Sequence, residues 1–156
     1  MSSGVRKQPE RCVSSLRRIV VDASVVSKWV IQEPLTDKAL KIREKSASEE
    51  LELIAPSVML YDFCHILSRH PAKTPEDIER DLNAVLQFNI RLEDVRDPEF
   101  LRKAVEVAKS TKLTFIEASY VALSERYGCP LVTADSKLAE RLKDKIEVIE
   151  LKDWKD

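Results

Sequence analysis

The feature that most constrains the fold is a short segment, Arg-Ile-Val-Val-Asp-Ala at residues 18–23, which is β-branched and apolar on both faces. Such a segment is typical of a central strand in a parallel sheet, buried between two layers of helices. Further strands are predicted at residues 53–55, 89–95, 130–133 and 147–151, with the third nearer a sheet edge. Helical patterns separate these strands. The sequence therefore predicts an α/β fold with three layers, α/β/α, and a mainly parallel five-stranded sheet.

Several helix boundaries are marked by capping residues. Thr74-Pro-Glu-Asp and Asp97-Pro-Glu each combine a capping side chain, a proline at the first helical position and acids near the positive end of the helix dipole. Pro56 is predicted in the first turn of a helix that runs to about His70, and Gly128 is placed to end another. Two earlier helices are predicted over residues 24–31 and 36–50.

The 156 residues suffice for one domain, predicted over residues 18–152. Residues 1–17 read as a polar, flexible arm without the apolar core of a secretory signal, and residues 153–156 as a short tail. No apolar stretch approaches the roughly 18 residues that a membrane span needs, so no membrane association is expected. The abundance of Lys, Arg and Glu, with few Asn and Gln, resembles that of hyperthermophile proteins.

Composition also excludes several classes of function. With only two glycines, the chain has no dinucleotide-binding fingerprint, phosphate-binding loop or hydrolase nucleophile elbow. Basic and acidic side chains number 26 and 27, so contacts with nucleic acid must be local rather than driven by an overall positive field. Three cysteines without metal-type spacing indicate a reducing compartment, and we expect a cytoplasmic protein.

Two acids follow predicted strands. Asp22 ends the first strand, and Asp135 lies just beyond the fourth. If these strands are neighbours, both carboxylates meet in one crevice at the carboxyl edge of the sheet, where α/β proteins bind ligands. Each acid has a simpler interpretation, in which it caps the helix that follows it. Position in the sequence does not decide, for either acid, between a ligand and a helix cap.

Two further acids lie on helices. Asp62 belongs to a helix that is apolar on nearly every side, so its carboxylate needs a cation partner or a wet cleft, and His65 is the simplest partner. Function is the favoured interpretation here. Glu117 fits a capping box with Thr114, and by itself is more often a cap than a ligand.

Together, these four acids favour oxygen ligation of a hard divalent cation, since the chain has no histidine cluster, glycine loop or cysteine nucleophile with a base. Clustered carboxylates repel one another, and Mg²⁺ or Mn²⁺ is the natural compensating charge. Such ions typically promote attack on a phosphodiester, which suggests a metal-dependent nuclease.

Four segments carry a family resemblance across roughly residues 18–151. They are Val20-Val-Asp-Ala-Ser-Val-Val-Ser-Lys-Trp29, the stretch from Ala55-Pro-Ser to Asp62, Leu113-Thr-Phe-Ile-Glu-Ala-Ser-Tyr-Val-Ala-Leu, and Pro130-Leu-Val-Thr-Ala-Asp-Ser-Lys-Leu. These segments closely resemble the motifs of PIN-domain ribonucleases, particularly the VapC toxins of prokaryotic toxin–antitoxin pairs. The resemblance implies a PIN-like fold and a metal-dependent endoribonuclease.

The resemblance also implies site roles. Asp22, Asp62, Glu117 and Asp135 match the four acids of the family's catalytic metal site, and Ser24 and Thr133 match supporting hydroxyls. The family generally has Glu where Asp62 stands and Asp where Glu117 stands, so this chain shortens one arm and lengthens another by a methylene. Because Mg²⁺ demands near-ideal geometry, the exchange bears on metal affinity and turnover. Lys28 also matches the family opening; it is a possible phosphate contact or a solvated lysine, whereas Trp29 is expected in the core.

The implied substrate is RNA, cleaved endonucleolytically without a covalent intermediate. The implied partners are a small cognate antitoxin that covers the groove and a second copy of the chain in a homodimer. Two alternatives remain: a PIN-like binding or regulatory module that has lost useful catalysis, and a phospho-acceptor receiver domain, which also gathers acids and Mg²⁺ at the strand ends of an α/β sheet. The receiver alternative ranks last, because Ala23 and Ser24, rather than a second acid, follow Asp22.

Overall fold

The computed structural model describes residues 16–156, so the predicted N-terminal arm lies outside the described residues except at its last two positions. The five strands are β1 (Arg17–Val21), β2 (Leu51–Pro56), β3 (Ile90–Glu93), β4 (Leu131–Thr133) and β5 (Val148–Glu150). The seven α-helices of the described part are α1 (Ala23–Val26), α2 (Thr36–Ala47), α3 (Val58–Ser68), α4 (Pro75–Gln87), α5 (Pro98–Ser110), α6 (Phe115–Tyr127) and α7 (Ser136–Leu142).

The strands form one sheet in the order β3-β2-β1-β4-β5, and every neighbouring pair is parallel. Along β1, the successive residues Ile19, Val20 and Val21 are all fully buried. Because successive strand residues point to opposite faces, both faces of the sheet must be covered. The predicted three-layer α/β/α fold is confirmed, with an entirely parallel sheet and β3 at an edge as expected.

Helix α6 packs against β1, β2 and α5, and its residues 118–124 are all buried. This buried stretch is apolar except for Ser119, Ser124 and the hydroxyl of Tyr120, as expected of a helix segment covered on all sides. Its start is fixed by Thr114 and its end by Gly128, which adopts the left-handed conformation (φ 60°) that favours glycine. The helix therefore has defined ends and packs directly on the two strands β1 and β2.

The placement of Pro56 in a helix was wrong. Pro56 is the last residue of β2 and pairs with Glu93 of β3, and α3 begins two residues later at Val58. The Ser57 amide donates to the Glu93 carbonyl at 2.8 Å, so the Pro56 nitrogen points to the opposite side of β2. The register of β1 against β2 ends at Ile54, so the missing amide hydrogen leaves no gap in the ladder.

Other differences are smaller. The helix predicted over residues 24–31 is the short α1 followed by a 3₁₀ turn at Ser27–Trp29, and α2 ends at Ala47 rather than at residue 50. Trp29 is buried, as expected. Trp154, in the segment predicted as a tail, is also buried and lies under the guanidinium of Arg17. Within residues 16–156 no helix is both long and apolar enough to cross a membrane.

Candidate active site

Asp22 and Asp135 lie at the same edge of the sheet. Strands β1 and β4 are parallel neighbours, with Val20 paired to Leu131 and Val21 to Val132. Asp22 directly follows β1, and Asp135 lies two residues after β4. The condition on which their predicted convergence depends, that the two strands are neighbours, is therefore met.

The Asp22 carboxylate is held by two hydroxyl groups. Ser24 Oγ donates to Asp22 Oδ1 at 2.7 Å, and Thr133 Oγ1 donates to Asp22 Oδ2 at 2.8 Å. The two hydroxyls also contact each other at 3.2 Å. Each accepts a backbone amide in turn: Ala134 N donates to Ser24 at 2.8 Å, and Asp135 N donates to Thr133 at 3.0 Å. This network fixes the carboxylate and ties the loop after β4 to the end of β1.

Burial dominates the electrostatics of Asp22, whose side chain is almost inaccessible to water. The pKa of Asp22 is raised from its usual 3.8 to about 6; removal from water is the largest cause, and the charge of Asp135 acts in the same direction. The hydrogen bonds from Ser24 and Thr133 oppose this shift. Among the described residues no cation forms an ion pair with Asp22, so the carboxylate carries negative charge that a bound cation would stabilise.

Asp135 is exposed and caps α7, as its simpler interpretation predicted. Its Oδ1 atom accepts the backbone amides of Lys137 at 3.0 Å and Leu138 at 3.2 Å. Both capping bonds go to one oxygen, which leaves Oδ2 without a protein partner in the described part of the chain. One residue can therefore serve both as a helix cap and as a ligand.

Asp62 is half-buried on α3. Burial raises its pKa, and the nearby charge of His65 lowers it. The described residues contain no hydrogen bond or ion pair between the two side chains, so His65 acts on Asp62 only through its charge. Burial raises the pKa of Tyr120 most, and the negative charges of Asp22 and Asp62 raise it further.

Glu117 has a different environment. Its side chain accepts the Thr114 amide at 2.9 Å, while Thr114 Oγ1 accepts the Glu117 amide at 3.1 Å, which completes the predicted capping box. Arg141 of α7 also donates to both carboxylate oxygens, from Nε at 2.5 Å and from Nη2 at 3.0 Å. The bonds from Arg141 lower the pKa of Glu117 most, and this effect exceeds the opposing effect of burial. Glu117 is thus already fully paired.

Lys28 does not face open solvent. Its ammonium donates to Glu33 Oε1 at 2.9 Å, and only 12% of its side chain is exposed. In this arrangement the Lys28 charge is neutralised by Glu33 rather than being available to a phosphate.

Sequence reasoning missed two residues at this edge, Tyr120 and Arg141. Tyr120 looked like a core aromatic in an apolar helix, and Arg141 like an ordinary surface residue of α7. The spacing of Tyr120 from Glu117, three residues along one helix, was the only available signal for its position. No sequence signal links Arg141 to Glu117, because 24 residues separate them.

The oxygen-rich donor set suits a hard cation that needs few protein ligands. Within residues 16–156 no three Asp, Glu, His or Cys side chains are close enough to form a ready metal cage. Mg²⁺ commonly uses one or two carboxylates and keeps several waters or substrate oxygens, whereas a structural zinc site needs four protein ligands. Asp22 with Asp135 therefore fits Mg²⁺ or Mn²⁺ better than it fits zinc.

The strands form an α/β/α domain in which Asp22 and Asp135 follow β1 and β4, the neighbouring strands where the chain order of the sheet reverses and where such sheets generally bind ligands. Receiver-type sheets have the order 2-1-3-4-5, so the receiver alternative does not fit. The PIN domain family matches residues 19–143, and the chain belongs to this family.

Individual proteins agree with this assignment. Ribonuclease VapC3 of Pyrobaculum aerophilum is 28% identical over 127 residues, which span 80% of this chain and 94% of that protein. The crystal structure of PAE2754 from Pyrobaculum aerophilum is 26% identical with a TM-score of 0.59, and the match covers 88% of this chain and 91% of that one. A toxin-antitoxin complex from Klebsiella pneumoniae shares the fold at 9% identity, with a TM-score of 0.61 and coverage of 85% and 97%.

Proposed function

We propose that this protein is a metal-dependent endoribonuclease that hydrolyses RNA phosphodiester bonds, and that it is the toxin of a toxin–antitoxin pair. The observation that carries the proposal is the buried Asp22 carboxylate, which has no cation partner among residues 16–156 and lies with Asp135 at the carboxyl edge of the sheet in a chain of the PIN family. The similarity to Ribonuclease VapC3 supports RNA as the substrate.

Each residue has a role in this proposal. Asp22 and Asp135 hold Mg²⁺ or Mn²⁺, which when bound polarises a phosphate oxygen and acidifies water. Ser24 and Thr133 orient the Asp22 carboxylate through the bonds described above. Asp62, whose pKa is raised by burial, is suited to accept a proton from the attacking water. Glu117 joins this set only when its ion pair with Arg141 opens.

The experiment that tests the proposal is incubation of purified protein with mixed RNA in Mg²⁺, in Mn²⁺ and in EDTA, beside Asp22→Asn. We expect metal-dependent cleavage that falls at least 100-fold in Asp22→Asn, because the substitution removes the charge that binds the ion while keeping the size of the side chain. Asp144→Asn, which changes an exposed acid at the end of α7, is the matched control and should cleave normally. Equal inactivity of wild type and Asp22→Asn in both metals would contradict the proposal for these substrates.

An antitoxin partner is supported by apolar surface beside the acids. Tyr61, Phe115 and Ile116 are 78%, 40% and 42% exposed, and they line a groove of about 420 Å³. Tyr61 precedes Asp62, and Phe115 and Ile116 precede Glu117, so a protein segment in this groove would also cover the acids. Tyr61→Ser should weaken binding of the antitoxin in a pull-down while leaving RNA cleavage by the free toxin unchanged.

Two further proposals follow from the family resemblance. We propose a homodimer, which light scattering of the purified protein tests directly. We also propose a cytoplasmic location, supported by an odd number of cysteines, of which Cys64 and Cys129 are free thiols.

The alternative of a binding module with weakened catalysis has one observation in its favour. Arg141 neutralises Glu117, so the fourth acid does not contribute negative charge to the edge of the sheet. If isothermal calorimetry detects no Mn²⁺ binding to wild type, this alternative is preferred.

A further inference from the structure

Tyr120 is a buried residue of α6 that lies one turn after Glu117. Only 2% of Tyr120 is exposed. Its hydroxyl has no hydrogen-bond partner among the described residues, although the oxygen atom itself is inaccessible to bulk solvent. Buried polar groups in native proteins are almost always hydrogen-bonded, so an unpaired phenol at this place needs a physical explanation.

The charged groups that act on this hydroxyl are two carboxylates. Burial, and then the negative charges of Asp22 and Asp62, raise the pKa of Tyr120 well above its usual value. The phenol therefore keeps its proton throughout the physiological range and is a hydrogen-bond donor. Both carboxylates are acceptors of the kind that this donor requires, yet among the described residues it bonds directly to neither of them.

The Asp22 carboxylate is already bonded on both oxygens. Ser24 occupies Oδ1 and Thr133 occupies Oδ2. Asp62 comes from a different element, α3, and its carboxylate has no hydrogen-bond partner in the described part of the chain. The Tyr120 hydroxyl thus has a hydrogen to donate and the Asp62 carboxylate has free acceptor sites, and a buried water molecule commonly links polar groups that lack a direct partner.

We propose that Tyr120 is a positioning residue of the metal site, whose hydroxyl donates a hydrogen bond to a water molecule held between the carboxylates of Asp22 and Asp62. A water in this place donates its two hydrogens to the two acids. One of its lone pairs then accepts from Tyr120, and the other points toward a cation. Tyr120 thereby selects one orientation of the water, which neither carboxylate can do alone because both are acceptors.

This inference rests on the proposed function for the identity of the cation, and its test includes measurements that need no RNA. Tyr120→Phe removes only the hydroxyl. Tyr127→Phe is the matched control, because Tyr127 lies on the same helix and its hydroxyl donates to Glu93, away from Asp22. Both variants are compared with wild type by thermal unfolding in EDTA and in Mn²⁺, and by calorimetric titration with Mn²⁺.

In EDTA, we expect Tyr120→Phe to unfold at the wild-type temperature or higher, since no protein hydrogen bond is lost. Tyr127→Phe should unfold at a lower temperature, since its bond to Glu93 is lost. In Mn²⁺, the stabilising shift of Tyr120→Phe should be smaller than that of wild type, with the Mn²⁺ affinity reduced about threefold to tenfold. Tyr127→Phe should keep both the shift and the affinity. For RNA cleavage, kcat of Tyr120→Phe should fall about tenfold with KM nearly unchanged.

The proposal is overturned if Tyr120→Phe lowers the unfolding temperature in EDTA and keeps the wild-type response to Mn²⁺. That outcome would mean that the hydroxyl bonds within the protein and is purely structural. Failure of the proposed function looks different: wild type would bind Mn²⁺ with the Tyr120 dependence described above and yet cleave no RNA.

Discussion

Asp22 and Glu117 are two of the four acids predicted to form the metal site, yet the protein treats their charges in opposite ways. Asp22 is buried, accepts bonds from the Ser24 and Thr133 hydroxyls, and has its pKa raised to about 6. Glu117 accepts two bonds from Arg141 and has its pKa lowered. The unsatisfied charge is concentrated at the end of β1, and the start of α6 is already neutral. A cation therefore gains most by binding at Asp22.

The difference also separates two kinds of support. Hydroxyl groups orient a carboxylate without neutralising it, so Ser24 and Thr133 leave Asp22 able to bind an ion. A guanidinium orients and neutralises at once, because its two parallel donors match the two carboxylate oxygens. The acids of this edge are thus equal in charge but unequal in their capacity to bind a metal.

The largest effect expected from the difference between Asp22 and Glu117 is on the pH dependence of the free energy of unfolding. The pKa of Asp22 is higher in the folded protein than its usual 3.8, so protonation favours the folded state. Below about pH 4, Asp22 is protonated in both the folded and the unfolded state, so its ionisation does not lower the free energy of unfolding. As the pH rises through about 6, the free energy of unfolding falls progressively, by about 3 kcal/mol in all. Urea unfolding in EDTA from pH 4 to pH 7.5 should show this loss in wild type and not in Asp22→Asn. Parallel pH profiles of unfolding free energy for wild type and Asp22→Asn would contradict the raised pKa of Asp22. Asp144→Asn is the surface control and should follow the wild-type profile.

A smaller effect is expected from the hydroxyl support. Thr133→Val keeps the side-chain shape but removes the donor to Asp22 and the acceptor for the Asp135 amide. We expect a loss of about 1–3 kcal/mol in the free energy of unfolding at pH 7, because the bond to a charged group is lost in a buried place. The loss should shrink toward pH 4, where Asp22 is neutral.

Thr111→Val is the matched control for that measurement. Thr111 also donates to one carbonyl, of Val107, and accepts one amide, of Leu113, but it contacts no carboxylate. Its substitution should destabilise the protein equally at both pH values. If Thr133→Val destabilised the protein equally at both pH values, the strength of the bond from Thr133 to Asp22 would not depend on the charge of Asp22.

The smallest expected effect comes from removing the partner of Glu117. Arg141→Met removes the guanidinium and frees Glu117 to join the acidic edge. We expect the Mn²⁺ affinity, measured by calorimetry, to rise a few-fold, because the Glu117 carboxylate would no longer be neutralised and its negative charge would add to the attraction for the ion. Lys143→Met, which breaks the exposed pair with Glu140 on the same helix, should leave the affinity unchanged. An unchanged affinity in Arg141→Met would limit Glu117 to its capping role.

Much of the fold was predictable because its signals are local. The apolar run of β1, the proline after Thr74 and the glycine at position 128 each act through neighbouring residues, and each prediction is confirmed. The adjacency of Asp22 and Asp135 followed from a general rule on parallel sheets once β1 and β4 were recognised. The family resemblance is confirmed by the match over residues 19–143.

The remaining features depend on contacts that sequence patterns do not encode. Pro56 was misplaced because its tolerance in β2 depends on where β1 stops, which is a property of register between strands. The pairing of Arg141 with Glu117 depends on the rotamers of two long side chains from different helices. Tyr120 was missed because a buried tyrosine in an apolar helix gives no sign, in sequence, of whether its hydroxyl has a partner. The roles of Asp22, Asp62, Glu117 and Asp135 in metal binding stay predictions.

The bond between Thr133 and Asp22 joins residues that are 111 positions apart in the chain. A ribosome that adds 5–20 residues each second needs roughly 6–22 s to travel between the two codons. During that interval the nascent chain holds Asp22 without β4, Thr133 or the Asp135 that follows it. The pair of hydrogen bonds that orients the Asp22 carboxylate can therefore be complete only after nearly the whole chain has been synthesised.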